Sequence, residues 1–524
     1  MPETSTRWDA VIVGSGFGGA MAAHELLAAG ARVLVIERGD WVPRGPAAWR
    51  PEASLEMTPY YAKDIPYRCV GPSHGPIIGG YACVGGPSVF YGCVSFRFRE
   101  RDFVGDPDVV RDSGATWPYS YDELEPFYLR AEQLLGISGD DAGDPTAPRR
   151  SGPFPQPPAP LAKVTDRVVE AAVALGLSPF HLPLAINHSA ADRAPCIACR
   201  TCDTYACAIE AKNDVATTMI KPLVARGLVL RTGTVAVRLE AEGDRVTRLH
   251  VIDRDTGVAS VIEAETFVLA AGALGTPHLI LASGLEAYSP ARAAVGRYLM
   301  RHDNAMVFGV FPTRPDTEHR FHKQVAINDW YFGDPSPDAD DRDLIGGFTK
   351  LGGVQQMMTP PKELVKAHLP LGTRTAIGAF TELLTGMLCI AEDQPRNVNG
   401  VEIDRDVRDR YGLPQLVIHS DYSVRDHLAV DALVRRAKRV LTHAGALAFH
   451  THRVKTFSHA VGTVRLGRDP ETAPLDEVGR FRGLPNLWVV DGAALPMSAG
   501  VNPSLTIAAN ALRSAAAMVA GGRA

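Results

Sequence analysis

The stretch that most constrains this chain is WDAVIVGSGFGGAMAAHELLAAGARVLVIERG, residues 8–39. Val11, Ile12 and Val13 predict a short buried parallel strand. Gly14, Gly16 and Gly19 form G-x-G-x-x-G, and the apolar positions Ala20, Ala23, Leu26 and Leu27 predict a helix behind them. A second apolar run, Val33 to Ile36, ends in Glu37. Each glycine has a reason: Gly14 permits the tight turn, Gly16 lets a pyrophosphate approach the backbone, and Gly19 lets helix pack on strand. The helix start offers free N–H groups and a partial positive charge to phosphates. Glu37, about twenty residues on, can hold a ribose hydroxyl pair. Strand, glycines, helix, strand and acid in this order read as a dinucleotide site. A glycine-rich surface turn leaves Glu37 unexplained.

A length of 524 residues implies about two domains or one large mixed domain. Hydrophobic content of 46% with 22% charged residues is that of a soluble globular protein. A net charge of -5 and a pI near 6.4 argue against nucleic-acid or membrane-surface partners. No apolar run reaches the ~18 residues a membrane span needs. The start, MPETSTRWDA, lacks the basic region and apolar core of a secretory signal, so a cytoplasmic protein is expected. Eight cysteines in a cytosolic chain of this size argue against a disulfide framework.

Along the chain, residues 40–74 read as a loop-rich excursion. A second glycine cluster follows, Gly79, Gly80, Gly85 and Gly86, with Val84 to Ser88 predicted as a turn entering a short helix. Small residues there allow backbone to approach a flat ligand. Phe96, Phe98 and Phe103, interleaved with Arg97, Arg99 and Arg101, predict a half-buried strand. Ser120 and Glu123 form a capping box for a helix with Leu124, Phe127, Tyr128, Ala131, Leu134 and Leu135 inward. Residues 141–160 read as a connector, and another helix is expected over 161–175. Cys196, Cys199, Cys202 and Cys207 are spaced C-x2-C-x2-C-x4-C, close to a ferredoxin run. Three readings stand: a metal or iron–sulfur cluster, disulfides or a redox pair, and reduced structural thiols.

Leu228–Thr232, Val235–Ala241, Arg248–Ile252, Ser260–Ile262 and Thr266–Ala271 are predicted strands. A helix then follows with Pro277 in its first turn and Gly284 at its end. From about 300 to 454 the strand-like stretches Ala305–Phe311, Gln324–Trp330, Ala376–Glu382 and Leu416–His419 predict a mostly antiparallel sheet. The long helix Asp426–Ala444 covers one side of it. His322, Lys323, Asn328, Asp329 and Gln355 are its polar candidates for a substrate site. Asn486–Asp491 is another buried strand, followed by Gly492 and by a helix over 504–519. The expected class is α/β: a Rossmann-like cofactor domain, 1–300 with 455–524, and an α+β substrate domain, 301–454.

Together these pieces resemble the glucose–methanol–choline (GMC) oxidoreductase family of FAD enzymes. Gly272-Ala273-x-x-Thr276-Pro277-x-Leu279-Ile280-x-x-Ser283-Gly284 fits the family's second signature throughout. Of the first signature Gly85, Gly86 and Ser88 match, whereas Tyr81, Ala82 and Pro87 depart. No Asn or His stands two residues after Ser88, which argues against a histidyl flavin bond there. VGGPSVFYGCVSFRFRERDF and SAGVNPSLT are most similar to bacterial members that oxidise sugars, glycosides and aminoglycosides. Some sugar dehydrogenases of the family bind a three-iron cluster where this chain has its cysteine run.

The resemblance implies oxidation of an alcohol to a carbonyl, with hydride passing to flavin N5 and oxygen or another acceptor taking the electrons. It makes His459 the base and Asn502 the residue that orients the substrate oxygen. It puts Glu37 at the adenosine ribose and Val235 at the adenine. Asp491 and Gly492 fall beside the ribityl–phosphate chain, and Pro503 near the ring. Rival readings are a steroid or aliphatic alcohol as substrate, a flavin-binding electron-transfer protein using its cysteines, and an NAD enzyme.

Overall fold

Val33–Ile36 has no polar position, and such a strand is stable only with both faces covered. The computed structural model describes residues 7–521 apart from 60–66, 72–74, 78–79, 141, 190, 334–349, 360–361, 363–365 and 367–379. Gly79 and the expected strand start at 376–379 therefore lie outside the described residues. In a central sheet, β1 (Trp8–Val13) pairs in parallel with β2 (Val33–Ile36) and with β9 (Ala259–Leu269). β6 (Val229–Arg231) extends the sheet beyond β2, and β17 (Leu487–Val489) pairs in parallel with the end of β9. Helix α1 (Phe17–Ala28) packs on β1 and β2, and α6 (Ser504–Gly521) packs on α1. α2 (Tyr121–Leu135) lies on α6 and begins with the expected capping box at Ser120 and Glu123.

β9 runs through two expected strands without a break. Its first half forms an antiparallel meander with β8 (Arg245–Asp253) and β7 (Thr234–Glu242), and its second half enters the parallel core. The expected strand around Phe96 is absent. Phe96 and Phe98 are buried outside any strand, Phe103 in a short 3-10 turn. Arg97 and Arg99 are buried with them. Arg97 grips Glu132 with Nε and Nη2 at 2.9 and 2.8 Å and reaches Glu125 at 2.9 Å; Arg99 pairs with Asp144 at 2.9 Å. A buried guanidinium is tolerable only with such satisfied, bidentate partners.

A six-stranded antiparallel sheet runs in the order β16 (Ala448–Arg453), β10 (Asp303–Val310), β13 (Leu384–Ala391), β12 (Gly352–Met357), β11 (Val325–Ile327), β5 (Pro179–His181). β13 starts after the expected Ala376–Glu382 strand; Thr381–Leu383 is a 3-10 turn. α5 (Val424–His443) covers this sheet, with α3 (Lys163–Ala174) beside it. Val430, Leu433, Val440 and Leu441 are buried there, each contributing about 1.5–3 kcal/mol. The excursion after residue 40 supplies β3 (Tyr67–Val70) and β4 (Gly75–Ile77) to a third sheet with β14 (Gly400–Arg408) and β15 (Pro414–His419). No helix of the described residues is long and apolar enough to cross a membrane.

Candidate active site

The glycine loop after β1 separates packing from binding. A Cβ on Gly14, which has φ +101, would lie 2.4 Å from the Ala270 carbonyl oxygen, and one on Gly19 would lie 2.0 Å from that of Gly14. Both glycines are required by the fold. A Cβ on Gly16 would meet nothing within 4 Å. The first amides of α1 beside it have no intrahelical acceptor. Gly86 faces this opening, its added Cβ falling 3.5 Å from Gly16 Cα. An open cradle with unspent donors at a helix start fits the diphosphate of a dinucleotide.

Glu37 ends β2 as expected, but its carboxylate is engaged by its own chain. Its Oε2 accepts from Ser15 N and Oγ at 3.1 and 2.7 Å, and its Oε1 accepts from Gly39 N at 3.1 Å. Burial raises its pKa against those bonds. Ser15 Oγ in turn accepts from Gly85 N at 3.0 Å, so Glu37 braces both glycine loops. Ser88 is fully buried, donates to Gly85 O at 2.7 Å and accepts from Val215 N at 3.0 Å, which fixes the left-handed turn at Gly85. Val235 lies one residue beyond Thr234, whose N–H donates to the Glu37 carbonyl at 3.0 Å.

The second signature forms α4 (Gly272–Ala282), which starts earlier than expected. Pro277 thus lies inside the helix and cannot donate to the carbonyl of Ala273. Thr463 Oγ1 donates to that carbonyl instead, at 2.7 Å. Asp491 Oδ2 accepts from Gly272 N at 2.8 Å and from the Thr276 hydroxyl, and Oδ1 accepts from Ala493 N at 2.8 Å. Burial pushes Asp491 up to about 6. A Cβ on Gly492 would lie 2.9 Å from the Ala460 carbonyl oxygen, so this turn abuts the one carrying His459.

His459 and Asn502 are brought together: Asn502 Nδ2 lies 3.2 Å from His459 Nε2. Two backbone features produce the meeting. Met300 and Val461 exchange hydrogen bonds at 3.0 and 2.9 Å, which sets the His459 turn beside residue 302. Gly353 N donates to Gly500 O at 3.1 Å, which lays the Asn502 turn on β12. Pro503 is buried at the start of α6.

A residue unmarked in the sequence completes the site. His302 Nδ1 lies 2.9 Å from His459 Nδ1, and its Nε2 lies 3.0 Å from the carbonyl oxygen of Ser498. A carbonyl can only accept, so His302 Nε2 carries the proton and its Nδ1 is a lone pair. His459 Nδ1 must then be the donor, which leaves His459 Nε2 as the free base beside Asn502. Gln355 Nε2 donates to Asn502 Oδ1 at 2.6 Å and so turns the Asn502 amide N–H toward His459. Burial first, and then the neighbouring His302 and Lys323, hold His459 well below the ordinary histidine range. Burial likewise lowers His302. Both rings are neutral at physiological pH.

The five polar candidates between residues 322 and 355 divide. Gln355 joins the site, and Lys323 pairs with Asp203 at 2.7 Å beside it. Asn328 keeps a buried Oδ1 without a partner. His322 is spent on Arg320 O at 2.9 Å and Thr359 N at 3.0 Å, and Asp329 on Ser178 N at 3.1 Å. Beneath the Asn502 turn, Ala499 N donates to Glu392 at 3.0 Å, Gly500 N to the Tyr331 hydroxyl at 2.9 Å, and Ser498 Oγ to Asp393 at 2.8 Å. Lys350 joins Asp102, at 2.6 Å, to Glu392.

The cysteine run does not close on one metal position. All four thiols are free, and among the described residues no group of three or more His, Cys, Asp or Glu side chains is placed to hold an ion. Cys196 Sγ accepts from Ala198 N at 3.3 Å and Cys199 Sγ from Thr201 Oγ1 at 3.7 Å. Burial pushes Cys196 up to about 12. Cys202 faces a cysteine outside the run, Cys93.

Known proteins resemble this chain over nearly its whole length. Residues 82–304 and 395–511 match the family described as GMC oxidoreductase, and residues 12–43 match an NAD(P)-binding Rossmann-like domain. The chain is 32% identical to 6'''-hydroxyparomomycin C oxidase of Streptomyces lividus, over 99% of this chain and 92% of that protein. It is 32% identical to paromamine 6'-oxidase of Streptomyces fradiae, over 98% and 91%. Pyridoxine 4-oxidase from Mesorbium loti shares the fold with a TM-score of 0.66 at 20% identity, over 98% of this chain and 99% of that one.

Proposed function

Because the chain belongs to the GMC oxidoreductase family, we propose that it uses FAD to oxidise a hydroxyl of an aminoglycoside or related glycoside, with His459 as base and Asn502 as the substrate-orienting donor. The FAD-dependent oxidation of CH–OH groups is the family's chemistry; the substrate class rests on the two Streptomyces oxidases and on the polar groups around Asn502. In this reading Gly14, Gly16, Gly19, Gly85, Gly86 and Gly272 supply the backbone cradle. Glu37 and Val235 flank the adenosine end, and Asp491, Gly492 and Pro503 the ribityl and ring end. Bound flavin supplies the acceptor for the hydride that leaves the substrate carbon.

One observation carries the reading: a neutral imidazole lone pair and an amide N–H point at each other across 3.2 Å. A substrate hydroxyl entering between them donates to His459 Nε2 and accepts from Asn502 Nδ2, replacing one bond by two. As the carbon loses hydride, the hydroxyl proton passes to Nε2. The positive charge then on His459 is shared through Nδ1–H with His302. Asn502 keeps the oxygen fixed while its bond order to carbon rises.

Anaerobic flavin bleaching, screened across aminoglycosides, simple sugars and sterols, tests both parts. Aminoglycosides should bleach fastest, and His459→Ala should abolish the effect. Preferential bleaching by sterols would refute the substrate class, and undiminished bleaching in His459→Ala would refute the base.

A further inference from the structure

Outside the alcohol site, two segments distant in sequence bring a pair of thiols together. Cys93 Sγ and Cys202 Sγ are 4.0 Å apart. We propose that Cys93 and Cys202 form a peroxide-oxidisable dithiol, in which Cys202 meets the oxidant and Cys93 closes the disulfide. A disulfide needs about 2.05 Å between sulfurs, so closure requires roughly 2 Å of combined movement.

Three features of the chain support the assignment. First, the two segments are clamped in register. Lys212 is buried, and its ammonium donates to the carbonyls of Val89 and Tyr91 on one segment at 3.3 and 3.0 Å. It also donates to those of Cys202 and Tyr205 on the other, at 2.7 and 2.8 Å. Secondly, Cys93 occupies a left-handed backbone position, φ +65, with Gly92 next to it. Such a position favours glycine, yet it carries the thiol. Thirdly, exposure is divided as a sensing pair requires: Cys93 is fully buried, whereas Cys202 is only partly so. The Cys93 thiol bonded to it, and then the Lys212 cation, favour a thiolate at Cys202 against its burial.

The chemistry balances with hydrogen peroxide as oxidant. The Cys202 thiolate attacks one peroxide oxygen, the O–O bond breaks, and the departing hydroxide takes a proton to become water. The resulting sulfenic acid is attacked by Cys93 Sγ, which loses its proton as the S–O bond breaks and a second water leaves. Two thiols are thereby oxidised and one peroxide reduced to two waters.

The test uses the holoenzyme, treated with hydrogen peroxide, digested without reductant and mapped by mass. The expected product is a peptide pair joining Cys93 to Cys202, with two thiols lost on titration and both recovered with dithiothreitol. In Cys93→Ser the cross-link should vanish and dimedone should label Cys202. Wild-type mapping decides the matter alone should that variant not fold. A cross-link from Cys202 to Cys196, Cys199 or Cys207 overturns the proposal. So does treated wild-type protein without a cross-link, or tightly bound iron with labile sulfide holding these thiols. None of these readings depends on turnover of an alcohol.

Discussion

Replacing His302 by Phe tests the proton arrangement at its origin. Phe keeps a ring between β10 and the Ser498 turn but removes the lone pair that accepts His459 Nδ1–H at 2.9 Å. That proton then has two fates. If it stays on Nδ1, a buried donor loses its partner. If it moves to Nε2, it confronts the Asn502 amide N–H, and turning that amide over sets its N–H against Gln355 Nε2, now 2.6 Å from Asn502 Oδ1. Either way His459 loses one buried hydrogen bond, worth about 1–3 kcal/mol; the bond from His302 Nε2 to the Ser498 carbonyl at 3.0 Å is lost as well, and that loss is read in the unfolding. Charged in full to the step in which His459 takes the proton, this is a slowing of about 5- to 150-fold. The assay is anaerobic stopped-flow bleaching at saturating alcohol, with thermal unfolding followed alongside. The loss should appear in the limiting rate more than in the apparent affinity, because Asn502 still donates to the substrate oxygen. His302→Gln, whose amide oxygen can accept, should recover part of it. If His302→Phe bleached at the wild-type rate with an unchanged pH profile, the tautomer argument would be wrong.

Three further outcomes follow from the geometry. Burial lowers the His459 pKa below 6.5, so the base is neutral above that value and lost only as pH falls through the lowered pKa. The kcat/KM profile for flavin reduction should be flat from about pH 7 upward with an acid limb below 6.5, and a limb centred above pH 7 would contradict this. Gly16→Ala adds a methyl where nothing lies within 4 Å, so apoprotein stability should change by less than about 0.5 kcal/mol while bound flavin, read from absorbance, is lost. Gly19→Ala, which meets backbone at 2.0 Å, should instead fail to fold; equal flavin loss and equal stability in both variants would remove the distinction. Burial pulls the Lys350 pKa down, and Asp102 and Glu392 outweigh that. Lys350→Met leaves two buried carboxylates uncompensated and should destabilise by about 3–5 kcal/mol in denaturant unfolding; a loss under 1 kcal/mol would show that the cluster does not hold the Asn502 turn.

What was legible in the sequence is what is local. The positive φ of Gly14 and the contact of Gly19 with the Gly14 carbonyl lie within one strand and one helix, and the capping box at Ser120 closes within four residues. His459 and Asn502 were marked by the motifs around them. His302 was not, because its role exists only once Met300 and Val461 pair across a long stretch of chain. The Phe–Arg alternation from 96 to 99 has the period of a half-exposed strand, yet both of its faces are buried. Glu125, Glu132 and Asp144 make that possible, and no spacing rule connects them to Arg97 and Arg99.

Pro277 shows the same limit from the side of the backbone. A proline near a helix start reads as a first-turn residue because its missing N–H is harmless there. Here it is harmless five residues in, because Thr463 arrives from the far end of the chain to satisfy the carbonyl it abandons. That threonine lies four residues beyond His459 and one before Val464, whose N–H is bonded to the Ala493 carbonyl. The segment bearing His459 is therefore pinned to the signature helix and to the Asp491 turn at once. Asp491 itself bonds the first residue of that helix. A site assembled from returning pieces of chain is held by such cross-bonds, each between a local irregularity and a distant donor. The irregularity can be read in one segment; the donor that makes it tolerable belongs to another.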